Sequence, residues 1–304
     1  MGDNNTMSSS RINKQAIFDN LPPEWPEDLF SEIRRWVVAR RQKVVVLDDD
    51  PTGTQTVHGV PVLTEWPVKA LRDALADDNS TAFYLLTNSR SLSLSEAREL
   101  NAEIGRNLLA ASELTGRTFV VVSRSDSTLR GHFPGEVEAL AGSLGTVFDA
   151  WLIVPFFLEG GRYTLHNVHY VAEGDALIPA GETEYAQDPV FGYQASNLRQ
   201  WVIEKWQTFM DTHPSYAETW RVPSSLADVA TISLDDIRKG GPDKVTKRLL
   251  GLKNGQTCIV NAVSYHDLEV FVLGLLVAES RGRHFLYRTA ASFVRVRAGI
   301  APRP

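Results

Sequence analysis

The run Val44-Val45-Val46-Leu47, stopped at once by Asp48-Asp49-Asp50-Pro51-Thr52-Gly53, constrains the fold more than any other stretch of this 304-residue chain. A short, uninterrupted apolar run ending in turn-forming residues is the pattern of a strand buried on both faces, as strands of a parallel sheet are. Three further runs have the same character: Phe83 to Leu86, Phe119 to Val122 and Trp151 to Val154. Helical patterns separate them. Ser93-Leu94-Ser95-Glu96 forms a capping box, and Ala97, Leu100, Ile104, Leu108 and Ala111 continue one apolar face until Gly116 closes it. Pro134 to Leu144, closed by Gly145, is a shorter pattern of the same kind. The repeating strand-helix order predicts an α/β fold with an open, largely parallel sheet flanked by helices.

Residues 1–27 are polar and then rich in proline (Pro22, Pro23, Pro26), which predicts a disordered start leading into an anchoring segment. Glu27 to Arg40 places Leu29, Ile33, Trp36 and Val37 at helical spacing beneath an arginine-rich outer face. From about 156 to 195 the periodicity fades into an irregular insertion, apart from a hairpin expected over Tyr163 to Val171; insertions of that length usually serve a function or a partner. Regular elements return at Asn197 to Phe209, Pro242 to Leu250 and Thr257 to Val260, and in a helix capped by Ser264 that carries Leu268, Phe271, Val272 and Leu275. His284 to Val296 reads as one strand-like segment containing the polar run Arg288-Thr289-Ala290-Ala291-Ser292. With Gly299, Pro302 and Pro304 following and no final helix or charged tail, the expectation is a chain that stops at an interdomain linker.

The longest apolar stretch, Phe271 to Ala278, is interrupted by Gly274 and falls short of the roughly 18 to 20 residues a bilayer span needs, so it reads as a buried helix. Met1 to Ser10 lacks the apolar core of a signal peptide. The single cysteine, Cys258, cannot form an internal disulfide and reads as an inert buried thiol. Both facts point to the cytoplasm. A net charge of −6 and a pI near 5.7 weigh against a nucleic-acid partner, whose binding draws on a basic surface. The seven tryptophans read as core anchors.

Asp48-Asp49-Asp50 sits at the carboxyl end of the first strand, where open α/β sheets build their ligand crevice. Three adjacent carboxylates repel one another unless a cation, a basic ligand or a shared proton compensates, so the cluster suits a metal, a hydroxylated ligand or a general base. A solvated turn with a capping aspartate is the bland alternative. After the third strand comes Ser123-Arg124-Ser125-Asp126-Ser127-Thr128-Leu129-Arg130-Gly131-His132, on the same edge. Its two arginines can grip a carboxylate or phosphate in two-pronged fashion, while its hydroxyls and Asp126 suit ligand hydroxyls. An N-cap or an ion pair with the aspartates would explain the same residues. Thr87-Asn88-Ser89-Arg90 makes a third polar strand end. Together the three describe a pocket for a small polyhydroxy acid. His166 and His169 have a metal-ligand spacing, but no cysteine or HExxH pattern completes a site, so no metal is predicted. No G-x-x-x-x-G-K-[ST] loop and no strand-linked G-x-G-x-x-G is present, so a nucleotide-phosphate cradle is not expected in this chain.

Leu47 to Gln55, followed by Pro61-Val62-Leu63-Thr64 and Ser123 to Gly131, closely resembles the N-terminal domain of the four-carbon acid sugar kinases. Leu86-Thr87-Asn88-Ser89-Arg90, Phe157-Leu158-Glu159-Gly160-Gly161-Arg162 and Tyr287 to Ser292 extend the resemblance, which spans about residues 40 to 304. Members of that family use ATP to phosphorylate the terminal hydroxyl of four-carbon sugar acids such as threonate, erythronate or their oxo forms. The resemblance implies that residues 28–304 hold the acid sugar. ATP and Mg2+ would then bind mostly to a separate C-terminal domain that this chain lacks, with a homodimer or a separately encoded nucleotide domain as protein partner. In-line phosphoryl transfer would follow, with the protein positioning the acceptor hydroxyl. On this reading Arg124 and Arg130 grip the sugar carboxylate, and Asp49, Asp50 and Asp126 orient hydroxyls, one of them acting as base. Thr52, Asn88, Ser89, Arg90 and Ser127 complete the substrate-binding set.

Two rivals compete. Asp48, Asp50 and Thr52 satisfy the D-x-D-x-T pattern of haloacid-dehalogenase-like phosphatases, in which the first aspartate is a nucleophile, the second an acid/base, and magnesium binds alongside. Thr87 or Ser89 could serve as the second motif and Asp235-Asp236 as the late acidic pair, although the lysine expected before that pair is not evident. The other rival is a non-catalytic fragment that retains only the sugar-acid pocket.

Overall fold

The computed structural model describes residues 11–218 and 220–302. A short β1 (Ile12–Asn13) and α1 (Lys14–Phe18) precede α2 (Phe30–Arg40). Then come β2 (Lys43–Asp48), β3 (Val62–Leu63), α3 (Val68–Ala76), β4 (Ala82–Leu86), α4 (Leu94–Thr115), β5 (Phe119–Arg124), α5 (Gly135–Leu144) and β6 (Ala150–Val154). A meander follows: β7 (Arg162–Leu165), β8 (Val168–Glu173) and β9 (Ala176–Pro179). The chain continues through α6 (Leu198–Thr212), β10 (Ala230–Ile232), α7 (Leu234–Arg238), α8 (Gly241–Leu250), β11 (Gln256–Val260), α9 (Tyr265–Ser280), β12 (Phe285–Thr289) and α10 (Ala291–Arg297).

Eight strands form one parallel sheet in the order β10-β11-β6-β12-β5-β2-β4-β3. The continuous apolar run of β2 is explained by the helices on both faces. Val44 and Val46 pack into one layer with α2, α8, α9 and α10, while Val45 and Leu47 pack into the other with α3, α4, α5 and α6. Side chains alternate across a strand, so each face demands its own apolar set. Each such side chain fully withdrawn from water contributes roughly 1.5–3 kcal/mol. Trp151, Trp201 and Trp206 are buried in the second layer, as core anchors. The helix over Phe271 to Ala278 is buried as expected, and no helix among the described residues is long and apolar enough to cross a membrane.

Three expectations are corrected. Residues 156–195 are irregular only in part: β7, β8 and β9 make an antiparallel sheet that β1 completes in the order β1-β9-β8-β7, while 180–195 holds short turns and loop. The hairpin itself is where the sequence placed it, turning at His166 and Asn167, both with positive φ. Strands this short, broken by Arg162, Thr164, His169 and Glu173, lack the long apolar run that betrays a buried strand, which is why this sheet escaped the periodicity. Residues 11–27 are not a disordered start either, since β1 pairs with β9 and Phe18 meets Tyr163 edge-on at 5.2 Å; residues 1–10 lie outside the described residues. Finally, His284 to Val296 is a strand followed by a helix, with β12 inserted between β5 and β6 at the centre of the sheet.

Candidate functional site

The carboxyl ends of β4, β2, β5, β12 and β6 lie side by side, and the polar segments that follow them converge on one edge of the sheet. The floor is built by strand register. Asp48 and Arg124 are paired across β2 and β5 and face the same layer as Val46 and Val122, two residues earlier. Arg124 donates to Asp48 Oδ1 at 2.9 Å, and both side chains are buried. Gly53 packs directly on this carboxylate: a Cβ there would stand 1.8 Å from Asp48 Oδ2, so only glycine fits without moving the aspartate. Asp49 is buried as well, accepts a hydrogen bond from Ser125 Oγ through Oδ2, and has no hydrogen-bond partner on Oδ1 among the described residues.

Above this floor Arg90 gathers three carboxylates. Its guanidinium contacts Asp50, lies 3.8 Å from Asp49 Oδ1 and 3.6 Å from Asp126 Oδ1, and retains 16% side-chain exposure. Asp50 also accepts from the backbone N–H of Thr52 at 2.7 Å and from its hydroxyl. Asp126 accepts from Arg130 Nε at 2.7 Å and from Thr128 Oγ1. Arg130 spans onward to Asp188, 3.7 Å away, and stacks over Tyr185 at 5.1 Å, so the segment after β9 forms one wall.

Not every candidate faces the crevice. Thr52 and Asn88 are exposed at its mouth and Asp50, Arg90, Asp126 and Arg130 keep partial exposure there, whereas Ser89 and Ser127 are buried. Ser127 acts through its carbonyl, which His169 Nε2 meets at 2.7 Å while Nδ1 meets Thr164 Oγ1 at 2.9 Å. Burial lowers the His169 pKa to about 4, so this histidine is a neutral tie between the two sheets. Arg124 is also corrected: it is locked on Asp48 beneath the crevice, because register pairs the two residues, and so it holds an aspartate in place and does not present a free fork to a ligand. Among the described residues no three His, Cys, Asp or Glu side chains converge as a metal cage. Cys258 is buried, which pushes its thiol up to about 12.

Residues 44–297 match the family described as the sugar-binding N-terminal domain. The chain belongs to that family. No curated protein matched it. Among solved structures it is similar to a Bordetella bronchiseptica domain of unknown function (DUF1537), a domain-swapped dimer with bound citrate, with a TM-score of 0.60 and 19% identity over 84% of this chain and 56% of that one. A Haemophilus influenzae protein of the same DUF1537 family aligns with a TM-score of 0.56 and 19% identity, over 84% of this chain and 55% of its own. At that identity the likeness establishes the fold. This chain thus spans about half the length of both structures.

The sugar-binding domain contains two site residues that the sequence reading missed, Glu136 and Arg288. Glu136, in the first turn of α5, is buried, accepts from Ser89 Oγ at 3.1 Å and leaves Oε1 without a hydrogen-bond partner among the described residues. Arg288, buried at the end of β12, donates to the Arg130 carbonyl at 3.0 Å and lies over Phe133 and Trp201. The sequence signals for Arg288 were the family resemblance over Tyr287 to Ser292 and the change from Phe285-Leu286-Tyr287 to the polar run at 288–292, the same apolar-then-polar break that marks the other strand ends.

The electrostatics of the floor differ from those of the mouth. Burial, opposed by Arg124, pushes Asp48 up to about 7; burial, reinforced by the charge of Glu136, pushes Asp49 up to about 6, both from an ordinary 3.8. Burial would raise Asp126 too, but hydrogen bonds from Arg130 and Thr128 hold it below its usual value. Because the folded state retains protons on Asp48 and Asp49 that an unfolded chain has released, their stabilising contribution is full below about pH 4 and is lost as pH rises through about 6 to 7. Asp49→Asn carries no such proton. Urea unfolding from about pH 4 to pH 6 is expected to show this variant gaining stability relative to wild type as pH rises; a constant difference would refute the assignment.

Proposed function

We propose that this sugar-binding domain, residues 28–304, is the acid-binding half of an ATP-dependent kinase that phosphorylates a four-carbon sugar acid of the threonate, erythronate or oxo-tetronate type. The observation that carries the reading is Arg90, a mostly buried guanidinium that keeps some exposure and is in contact with or close to Asp49, Asp50 and Asp126 at the junction of three strand ends. Such a mouth offers planar cationic donors for a carboxylate and anionic acceptors for hydroxyls within one small volume. Citrate bound to the Bordetella structure is a small hydroxy acid of the same chemistry.

In this reading Arg90 and Arg130 receive the sugar carboxylate, which competes with Asp50 and Asp188 for them. Asp50 and Asp126 accept ligand hydroxyls, and Asp49, buried beneath them with one oxygen free of hydrogen bonds among the described residues, is proposed as the group that takes the acceptor hydroxyl proton. Thr52 and Asn88 line the mouth, while Ser89 and Ser127 shape it from below. The sequence carries no glycine-rich phosphate loop, and in this reading ATP and Mg2+ are held mostly by a second, nucleotide-binding domain. A homodimer accompanies the reading, by analogy with the domain-swapped relative. A cytoplasmic location goes with the lone buried thiol.

The phosphatase alternative has less support. A nucleophile must reach substrate, but the Asp48 carboxylate is enclosed by Arg124 and Gly53. Asp235 and Asp236 follow β10, five strand spacings or roughly 24 Å from β2, and Asp236 is engaged by Arg248 at 3.1 Å.

Isothermal titration of the chain with D-threonate, D-erythronate and citrate tests the reading. Acid binding without ATP turnover, converted to turnover when a nucleotide-binding domain of the same family is supplied, is the expected result. Acid binding that no such domain converts to turnover would leave a non-catalytic binding module. Magnesium-dependent phosphate release by this chain alone, without acid binding, would overturn the reading.

A further inference from the structure

Glu136 lies where helix α5 begins under the crevice, on an element that contributes none of the strand ends around it. Its burial is nearly complete, at 2% exposure. Oε2 accepts the Ser89 hydroxyl, and Oε1 is bare although buried carboxylate oxygens are ordinarily satisfied. Ser89 belongs to the Thr87–Arg90 turn, which is fastened to the neighbouring strand end by Thr87 N donating to the Asp48 carbonyl at 3.0 Å and Arg90 N donating to the Asp49 carbonyl at 3.2 Å. Glu136 therefore grips from below the same turn that carries Arg90 above. The charged and titratable groups around the pair come from each packed element: Asp49 after β2, Arg90 after β4, Arg288 on β12, and His132, which faces Asp49 from the loop before α5.

We propose that Glu136 is a positioning residue of the acid site, holding the Ser89–Arg90 turn against the aspartates and placing a second carboxyl group behind Asp49. The inference rests on the acid-sugar reading. It gives Glu136 two separable effects. The hydrogen bond to Ser89 aims Arg90, and the second carboxyl couples to the titration of Asp49: burial raises the proton affinity of both groups, Asp49 to about 6, and charge on either one favours the proton on the other. Two arginines, Arg90 and Arg288, keep the two carboxylates from repelling each other out of the fold.

Two variants separate the effects. Glu136→Gln retains an acceptor for Ser89 and loses the charge; Glu136→Ala loses both. Carbon-13 NMR titration of the Asp49 carboxyl in the ligand-free chain is expected to move to lower pH by roughly one unit in Glu136→Gln. Titration calorimetry with D-threonate is expected to show affinity roughly tenfold weaker in Glu136→Ala, most of it recovered in Glu136→Gln. An Asp49 midpoint unmoved by Glu136→Gln overturns the inference, and so does wild-type affinity in Glu136→Ala. If Glu136→Ala does not fold, the Asp49 titration in Glu136→Gln still decides. A wild-type chain that binds neither D-threonate, D-erythronate nor citrate, while its Asp49 midpoint shifts in Glu136→Gln, would remove the sugar-acid reading and leave the charge coupling standing.

Discussion

Arg90→Ala is expected to weaken D-threonate or citrate binding by about 2–4 kcal/mol, a rise in Kd of roughly 30- to 900-fold. Arg90 stands at the one point where the ends of β2, β4 and β5 meet, and its guanidinium is near enough to Asp49, Asp50 and Asp126 to offset all three. Removing it takes away the donor fork for an incoming carboxylate and leaves the aspartates facing one another, so an anionic ligand meets repulsion where it met attraction. Arg90→Lys separates these two losses. It restores the charge but not the planar two-pronged geometry, and intermediate affinity is expected. Calorimetric titration of both variants at one ionic strength is the measurement. An unchanged Kd in Arg90→Ala would move the acid site elsewhere.

The largest effect on stability is expected at the opposite end of the sheet. Glu279, buried at the end of α9, accepts from Arg297 at 2.8 Å, from Arg40 at 3.1 Å and from the Tyr287 hydroxyl. Arg297 is 1% exposed and Tyr287 wholly buried, so neither can turn to water when the partner disappears. Glu279→Ala would leave an uncompensated guanidinium inside the layer shared by α2, α9 and α10, at a cost of about 3–5 kcal/mol. Urea unfolding at neutral pH measures it, with Glu279→Gln as a companion that preserves the shape and loses the charge. A loss below about 1 kcal/mol in Glu279→Ala would mean that Arg297 finds water or another acceptor. This network lies away from the crevice, so the acid affinity of the folded Glu279→Ala protein should match wild type.

Some of this organisation is written in local pattern. Val44 to Leu47 is apolar at every position because helices cover both faces, and the abrupt change to Asp48-Asp49-Asp50 marks the strand end that reaches the crevice. The capping box at Ser93 and Glu96 forms as read, with Gly116 in the left-handed conformation ending α4. Asp50, Arg90, Asp126 and Arg130 do meet, because strands β4, β2 and β5 are neighbours and each polar run starts where its strand stops.

Other features required the tertiary structure. Arg124 looked like a ligand fork in sequence, yet pairing across β2 and β5 sets it on Asp48. Glu136 sits on a helix whose pattern marks an apolar inward face and says nothing of an acid folded in among it. Arg288 comes from the twelfth strand in chain order, which takes a place at the middle of the sheet, and the segment after β9 supplies a wall through Tyr185 and Asp188. Sequence by itself determined the periodic elements, the α/β class and the polar strand ends, because these depend on side-chain alternation and turn chemistry within a few residues. Strand order, the burial of individual charges and the partner each one finds were decided only by tertiary structure, because they depend on contacts between segments far apart in the chain, whose proximity no local spacing encodes.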